Sequence, residues 1–275
     1  MTRTQAFAKI NLALVVGPLR ADGKHEIVTV LQRIHLHDDV ELERTSDGGI
    51  VVEGFPDDTL VHQALRALAE LSASSRSGWR ARIEKRIPVA AGLGGGSSDA
   101  AAALLLANAM LSEPRAPDEL HELAARLGAD VPFFLRDGPQ LATGNGSDLS
   151  PLRLPRDFVV LLALPEGETK ESTTAVYRRF DERAGAAGFV ERREALLEAL
   201  EAVERSRDLA ALPRNDLASS PLSDELERLG AFRADVSGAG PAVYGLFEHE
   251  GDAERAAREL RGAGQAWLTR PVPGR

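Results

Sequence analysis

Gly92-Leu93-Gly94-Gly95-Gly96-Ser97-Ser98 places four glycines in five positions. That removes the Cβ atoms that would keep a ligand off the backbone, and it admits positive φ. Amide groups exposed this way can point inward as an anion nest. The Ala/Leu-rich run that follows is apolar on nearly every side and predicts a buried helix over 99–110. Its unpaired N–H groups and positive dipole end then face the glycines. Ser97 and Ser98 add hydroxyl donors. Together these parts make a phosphate cradle. A Walker A loop would need Gly-Lys-Ser/Thr at its end, and there is no lysine here. A dinucleotide fingerprint would put its third glycine at position 97, a serine, within a βαβ unit.

Upstream, residues 80–87 read as a strand ended by Pro88. Arg76, Arg80, Arg82, Lys85 and Arg86 approach the loop with Glu84 as the single acid among them. Strand alternation sends Arg80, Arg82 and Glu84 to one face, which reads as a solvated edge whose field still favours an anion. Earlier strands are predicted over 6–16, 25–36, 40–44 and 50–53, with Asp38-Asp39 and Asp47-Gly48-Gly49 as turns. A helix is predicted from Asp58, because Leu60, Val61, Ala64, Leu65, Leu68 and Leu71 recur at helical spacing. Downstream, 117–127 carries an acidic first turn (Asp118, Glu119) and ends at Gly128, a C-cap residue. Strands precede helices, so this half is α+β. The Pro-punctuated 150–155 divides the chain into 1–152 and 153–275. Beyond it come a strand over 158–164, helices over 173–183 and 191–206, strands over 233–236 and 242–247 around Ser237-Gly238-Ala239-Gly240-Pro241, a helix over 252–260 and a strand over 265–269.

Composition sets the class. The 275 residues are 43% hydrophobic, enough for a sizeable core, and carry 33 basic against 42 acidic side chains, a net charge of −9. That balance argues against a nucleic-acid-coating protein. It leaves open a small anion held by a local field. The absence of cysteine removes disulfides, thiolate metal sites and cysteine nucleophiles. No apolar run approaches the ~20 residues that span a bilayer, and the N-terminus lacks a signal peptide's apolar segment. A soluble cytoplasmic protein is expected.

Three titratable residues stand out, each with an ordinary alternative. Lys9 interrupts the apolar run Phe7-Ala8-Lys9-Ile10-Asn11-Leu12 and shares a face with Asn11, as a strand-edge residue or a catalyst. Asp130, in Leu127-Gly128-Ala129-Asp130-Val131-Pro132, is a turn residue, an N-cap or an acid–base group. His25 follows Asp22-Gly23-Lys24, in a solvated turn or against a ligand.

Taken together, these segments resemble the GHMP kinase superfamily. The matching pieces occur in the family's order: Ala8-Lys9-Ile10-Asn11-Leu12, Arg20-Ala21-Asp22-Gly23-Lys24-His25-Glu26, Lys85-Arg86-Ile87-Pro88 running into the glycine loop, Leu127-Gly128-Ala129-Asp130-Val131-Pro132-Phe133, and Ser237-Gly238-Ala239-Gly240. The resemblance implies a two-domain α+β fold, with a ribosomal protein S5 domain 2-like N-terminal domain, a ferredoxin-like C-terminal domain and an active site in the cleft between them. It implies ATP and Mg²⁺, with ATP phosphates on Pro88, Val89, Ala90, Ala91, Gly92, Leu93, Gly94, Gly95, Gly96, Ser97 and Ser98. Lys9 and Asp130 are then catalytic at an acceptor hydroxyl, and Asn11, His25, Ser237 and Gly238 hold the substrate. The expected partner is a small alcohol carrying cytidine diphosphate, used for isoprenoid precursors, bound by a monomer or homodimer that takes neither nucleic acid nor membrane. Homoserine, mevalonate or sugar acceptors are the alternatives, then a silent nucleotide-binding regulator. Where the family usually has an aromatic before the histidine, this chain has Lys24; Asp58-Thr59-Leu60 and the polar 165–170 also depart from its pattern.

Overall fold

The computed structural model describes residues 1–55, 59–71, 78–166, 172–260 and 264–274. Asp58, Arg76 and residues 167–170, each singled out above, lie outside them. Two compact units divide the chain: 1–8, 36–89 and 94–137 in the first, and 9–35, 90–93 and 138–275 in the second. Strands β1 (Thr2–Leu19) and β2 (His25–Thr45) contribute residues to each.

In the first unit, β4 (Gly78–Glu84) pairs antiparallel with the second half of β2 and parallel with β3 (Ile50–Glu53). The burial of β4 alternates, with Trp79, Ala81 and Ile83 inside and Arg80, Arg82 and Glu84 outside, as its sequence pattern requires. The expected turn at Asp38-Asp39 is instead continuous strand. Both carboxylates are buried and partnered, Asp38 by Lys85 and the backbone N–H groups of Arg86 and Ile87, Asp39 by Arg3 and Arg86. Strand can therefore continue through an acidic pair that reads as a turn. Arg3 is the chief reason the Asp39 carboxyl is held below the usual range.

Helix α1 (Thr59–Leu71) packs on α2 (Gly95–Ala109) and α3 (Pro117–Leu127), and α2 also packs on α4 (Val131–Phe134). Ala100, Ala101, Ala103, Leu104 and Ala107 are fully buried, as an all-apolar helix demands. Ala6, Val40 and Ala102 form a small core with Leu106 against them. Gly128 does close α3, in extended backbone that any residue could adopt.

In the second unit, β5 (Gln140–Thr143) pairs with the first half of β2 and with β6 (Asp148–Pro151). A separate antiparallel sheet has the order β10-β7-β9-β8, from β7 (Val159–Pro165), β8 (Arg233–Val236), β9 (Val243–Phe247) and β10 (Gly264–Thr269). Helices α7 (Pro221–Arg228) and α8 (Glu250–Glu259) pack on it around Leu161, Leu226, Phe247 and Ala253. A second cluster joins Leu14 and Val16 of β1 to Val176 and Phe180 of α5 (Thr173–Glu182) and to Leu217. Helix α6 (Phe189–Glu201) stops short of the expected residue 206, and a 3₁₀ turn, Ser206–Ala211, follows. The architecture is α+β, as expected.

Candidate active site

In the first unit, the glycine run leads into α2 earlier than its apolar text suggests. The helix begins at Gly95 rather than at residue 99, so Gly95, Gly96, Ser97 and Ser98 are its first turn. Gly94 caps it at φ +72°, a left-handed conformation that glycine adopts without strain. The ladder opens with the N–H of Ser98 donating to the Gly94 carbonyl (2.9 Å), so the amides of 95–97 leave the helix end without an intrahelical acceptor. Among the described residues, no atom outside its chain neighbours and its own helix backbone lies within 4 Å of where a Cβ on Gly96 would stand. A phosphate can therefore approach that turn to backbone distance, with the helix dipole behind it.

Beneath this turn lies a buried charge cluster that sequence reading did not assemble, since Asp38 reads as a turn and Lys85 as one of several charges approaching the loop. The Lys85 ammonium sits 2.5 Å from an Asp38 oxygen and 2.7 Å from Asp99 of α2, both carboxylates being fully buried. Desolvation is the largest influence on Lys85 and opposes its charge. Attraction to Asp99 and the bond to Asp38 outweigh it, leaving the ammonium's pKa raised. The cluster ties β2 and the end of β4 to α2. Arg80 bonds Glu43, and Arg86 bonds Glu84 and Asp39, so these arginines are engaged along the sheet.

Asp130 is the residue before α4, and its half-buried side chain makes no capping bond. Val131, Pro132, Phe133 and Phe134 are all buried, fixing Asp130 through its neighbours. The capping alternative therefore falls away.

In the second unit, Lys9 is 3% exposed, which ends the solvated-edge alternative. Its ammonium donates to Asn11 Oδ1 (2.7 Å) and its backbone N–H to the Leu93 carbonyl (2.9 Å). Asn11 Nδ2 donates to Thr29 Oγ1 (2.8 Å), whose hydroxyl donates to the Ala13 carbonyl (2.7 Å). The amide of Asn11 is thus oriented, with its oxygen toward Lys9. Gly238, at φ +59°, comes so close that a Cβ there would stand 3.4 Å from the Lys9 nitrogen and from the Gly92 carbonyl. Ser237 Oγ donates to that carbonyl (3.0 Å) and Ala242 N–H to the Ala91 carbonyl (3.0 Å). Gly92 admits no side chain, because its Cβ would meet the Ser237 carbonyl at 2.1 Å. Lys9, Asn11, Gly92, Leu93, Ser237 and Gly238 are therefore one constellation.

His25 opens β2 and is buried, so it is no solvated turn residue. Its Nδ1 donates to the Gly17 carbonyl (2.9 Å), its Nε2 lies 3.4 Å from Asp181, and Tyr177 stacks on the ring at 4.9 Å. Phe180 meets it edge-on. Sequence reading missed Tyr177, whose only signal is an aromatic on an amphipathic helix. It also missed Thr29, which has no local signal.

Among the described residues no group of three or more His, Asp or Glu could hold a metal, and no helix is long and apolar enough to cross a membrane.

Residues 59–138 match the GHMP kinases N terminal domain and 192–266 the GHMP kinases C terminal domain. The chain is 39% identical to a 4-diphosphocytidyl-2-C-methyl-D-erythritol kinase of Salinispora arenicola, over 94% of this chain and 87% of that protein. A crystal structure of 4-(cytidine 5'-diphospho)-2C-methyl-D-erythritol kinase superposes with a TM-score of 0.77 at 34% identity, covering 99% of this chain and 100% of the other. A mevalonate kinase structure reaches a TM-score of 0.78 over 99% and 100% of the two chains, but at 16% identity it speaks for the fold alone. The chain belongs to the GHMP kinase family, alongside relatives named as 4-diphosphocytidyl-2-C-methyl-D-erythritol kinases.

Proposed function

We infer that this chain transfers the γ-phosphoryl group of ATP to the 2-hydroxyl of 4-diphosphocytidyl-2-C-methyl-D-erythritol. The observation that carries the inference is the buried Lys9 ammonium, bonded to Asn11 and bordered by Gly92 and Gly238. A buried cation beside backbone stripped of Cβ atoms suits a phosphoryl group in transit. Asp130 takes or orients the acceptor's hydroxyl proton, and Lys9 offsets charge on the phosphoryl group. As the acceptor oxygen bonds to the γ-phosphorus, the bond to the β–γ bridging oxygen breaks and ADP leaves. Residues 88–98 hold the ATP phosphates, and the open space at Gly96 supports this.

Asn11, His25, Ser237 and Gly238 hold the substrate, with His25 at its cytosine end. His25 donates from Nδ1 to Gly17, so its Nε2, which lies 3.4 Å from the exposed Asp181 carboxylate, is the nitrogen that reads a base. Lys24 offers no stacking face, and the half-buried Tyr177 ring beside His25 supplies the aromatic surface instead. Mg²⁺ accompanies ATP in this reading. A metal carried mainly by substrate phosphates and water needs few protein ligands, which suits a chain whose described residues hold no carboxylate–histidine cluster. Bound there, it would neutralise phosphate charge. A division into 1–152 and 153–275, supported by family matches on either side of it, and a cytoplasmic monomer or homodimer complete the reading.

A coupled ADP-release assay tests it. The expected result is turnover with the cytidyl alcohol and none with homoserine, mevalonate or a sugar. Turnover with one of those, and none with the cytidyl alcohol, would overturn the substrate assignment.

A further inference from the structure

The segment 237–240 bends through two left-handed glycines, Gly238 and Gly240, and such a loop needs something outside it to hold one shape. Besides the Ser237 hydroxyl's bond to Gly92, that holder is Asn215, a residue with no place in the proposed chemistry. Its side-chain Nδ2 donates to the Val236 carbonyl (2.9 Å), at the end of β8, and to the Gly238 carbonyl (2.6 Å). Both amide hydrogens are thereby committed to the strand–loop junction. Its Oδ1 faces the other way and accepts the N–H of Leu217 (2.8 Å), closing a local turn.

Asn215 is itself pinned from two directions. Its own N–H donates to buried Asp235 of β8 (2.9 Å), a carboxylate 3.3 Å from buried Arg233. The next residue, Asp216, is tied to β1, the strand that carries Lys9 and Asn11. Its N–H donates to the Leu14 carbonyl (2.9 Å), and its carboxylate accepts from the N–H of Val16 (2.8 Å) and from Arg192 (3.1 Å). One dipeptide therefore holds β1 with one residue and the glycine loop with the other.

We propose that Asn215 is a positioning residue, which sets Gly238 against the Lys9 ammonium and the Asn11 amide by donating to the Gly238 carbonyl. The proposal rests on the kinase reading above, since the placement of Gly238 matters for turnover only if phosphoryl transfer occurs beside Lys9. It also separates two jobs that one side chain performs. The acceptor job is local and structural. The donor job reaches the site.

Asn215→Asp separates them experimentally. The carboxylate keeps an acceptor for Leu217 but can no longer donate to Val236 or Gly238. The expected outcome is a chain that still melts cooperatively, while kcat at saturating ATP and alcohol falls by about 10²-fold, the scale of an angstrom-sized misplacement. A kcat within about threefold of the parent chain's would overturn the proposal, since a purely local turn role is preserved in this variant. If Asn215→Asp does not melt cooperatively, Asn215→Ser gives the same decision without added charge, because its hydroxyl can accept from Leu217 yet is too short to reach both carbonyls. The parent chain run alongside separates the two readings. No turnover there defeats the kinase assignment, whereas parent turnover with an unimpaired Asn215→Asp defeats only the role of Asn215.

Discussion

The two glycine segments reach the same end by different means. Residues 92–98 are open because glycine follows glycine, and their shape is set at the start of a 15-residue helix. Residues 237–240 hold only two glycines, and their shape comes from Asn215, a side chain more than twenty positions earlier in the chain. The first therefore announces itself in sequence. The second is marked only by its resemblance to a family segment, and what grips it shows only in the structure. Even within 92–98 the glycines divide. Gly92 has a neighbouring carbonyl where a Cβ would go, and Gly96 has open space. One is required by packing, while the other leaves room at the helix start.

Substitutions can break this contrast. The largest effect is expected from Lys9→Met, which leaves both glycine segments intact but removes the cation beside them. We expect kcat to fall by about 10³-fold with the fold unchanged by circular dichroism. A fall of less than tenfold would mean that the glycines, without the lysine, carry the rate. Next comes Gly92→Ala, whose methyl would meet the Ser237 carbonyl at 2.1 Å in left-handed backbone. A loss of about 3 kcal/mol or more is expected in denaturant melts. Gly96→Ala should do the reverse. Its methyl meets nothing, and alanine favours a helix over glycine by about 0.5–1 kcal/mol, so stability should hold or rise while the KM for ATP climbs about tenfold. Equal stability losses in the two variants would erase the division between them.

The smallest effect concerns pH. Lys85 is raised in the folded state, so its contribution to stability is complete below its unfolded value of 10.5 and is lost as pH rises through the higher folded value. Thermal melts from pH 8 to pH 12 should show a decline above about pH 10.5. A Lys85→Met variant, less stable from the outset, should show a shallower decline. Parallel curves would assign the alkaline loss to other groups.

Local patterns were legible where one residue type repeats at a short period. The glycine run, the periodic apolar face of α1, the alternation of β4 and the capped α3 all follow from neighbours within a few positions. What depends on distant partners was not. Asp38-Asp39 looks like a turn because two adjacent carboxylates are poor strand text, and only Lys85, Arg3 and Arg86 make them acceptable there. Lys9 carries no local sign of burial, since the amide that accepts its hydrogen bond is oriented by Thr29 on another strand. The resemblance supplied the roles of Lys9 and Asp130. Tyr177, Asn215 and the charge cluster beneath α2 came only from the fold. Short-range chemistry is visible in a string; convergence is not.

The early start of α2 has a consequence for motion. Gly95 and Gly96 lie inside the helix, where glycine is about 1 kcal/mol per residue less favourable than alanine. From Ala100 to Ala103 the same helix consists entirely of the strongest helix former. Propensity therefore rises along α2, from a soft first turn to a rigid anchor. Amide hydrogens at 95–97 should exchange quickly in the free protein and slow when ATP binds, while those at 102–107 stay protected in both states. The helix would be completed by the nucleotide it receives.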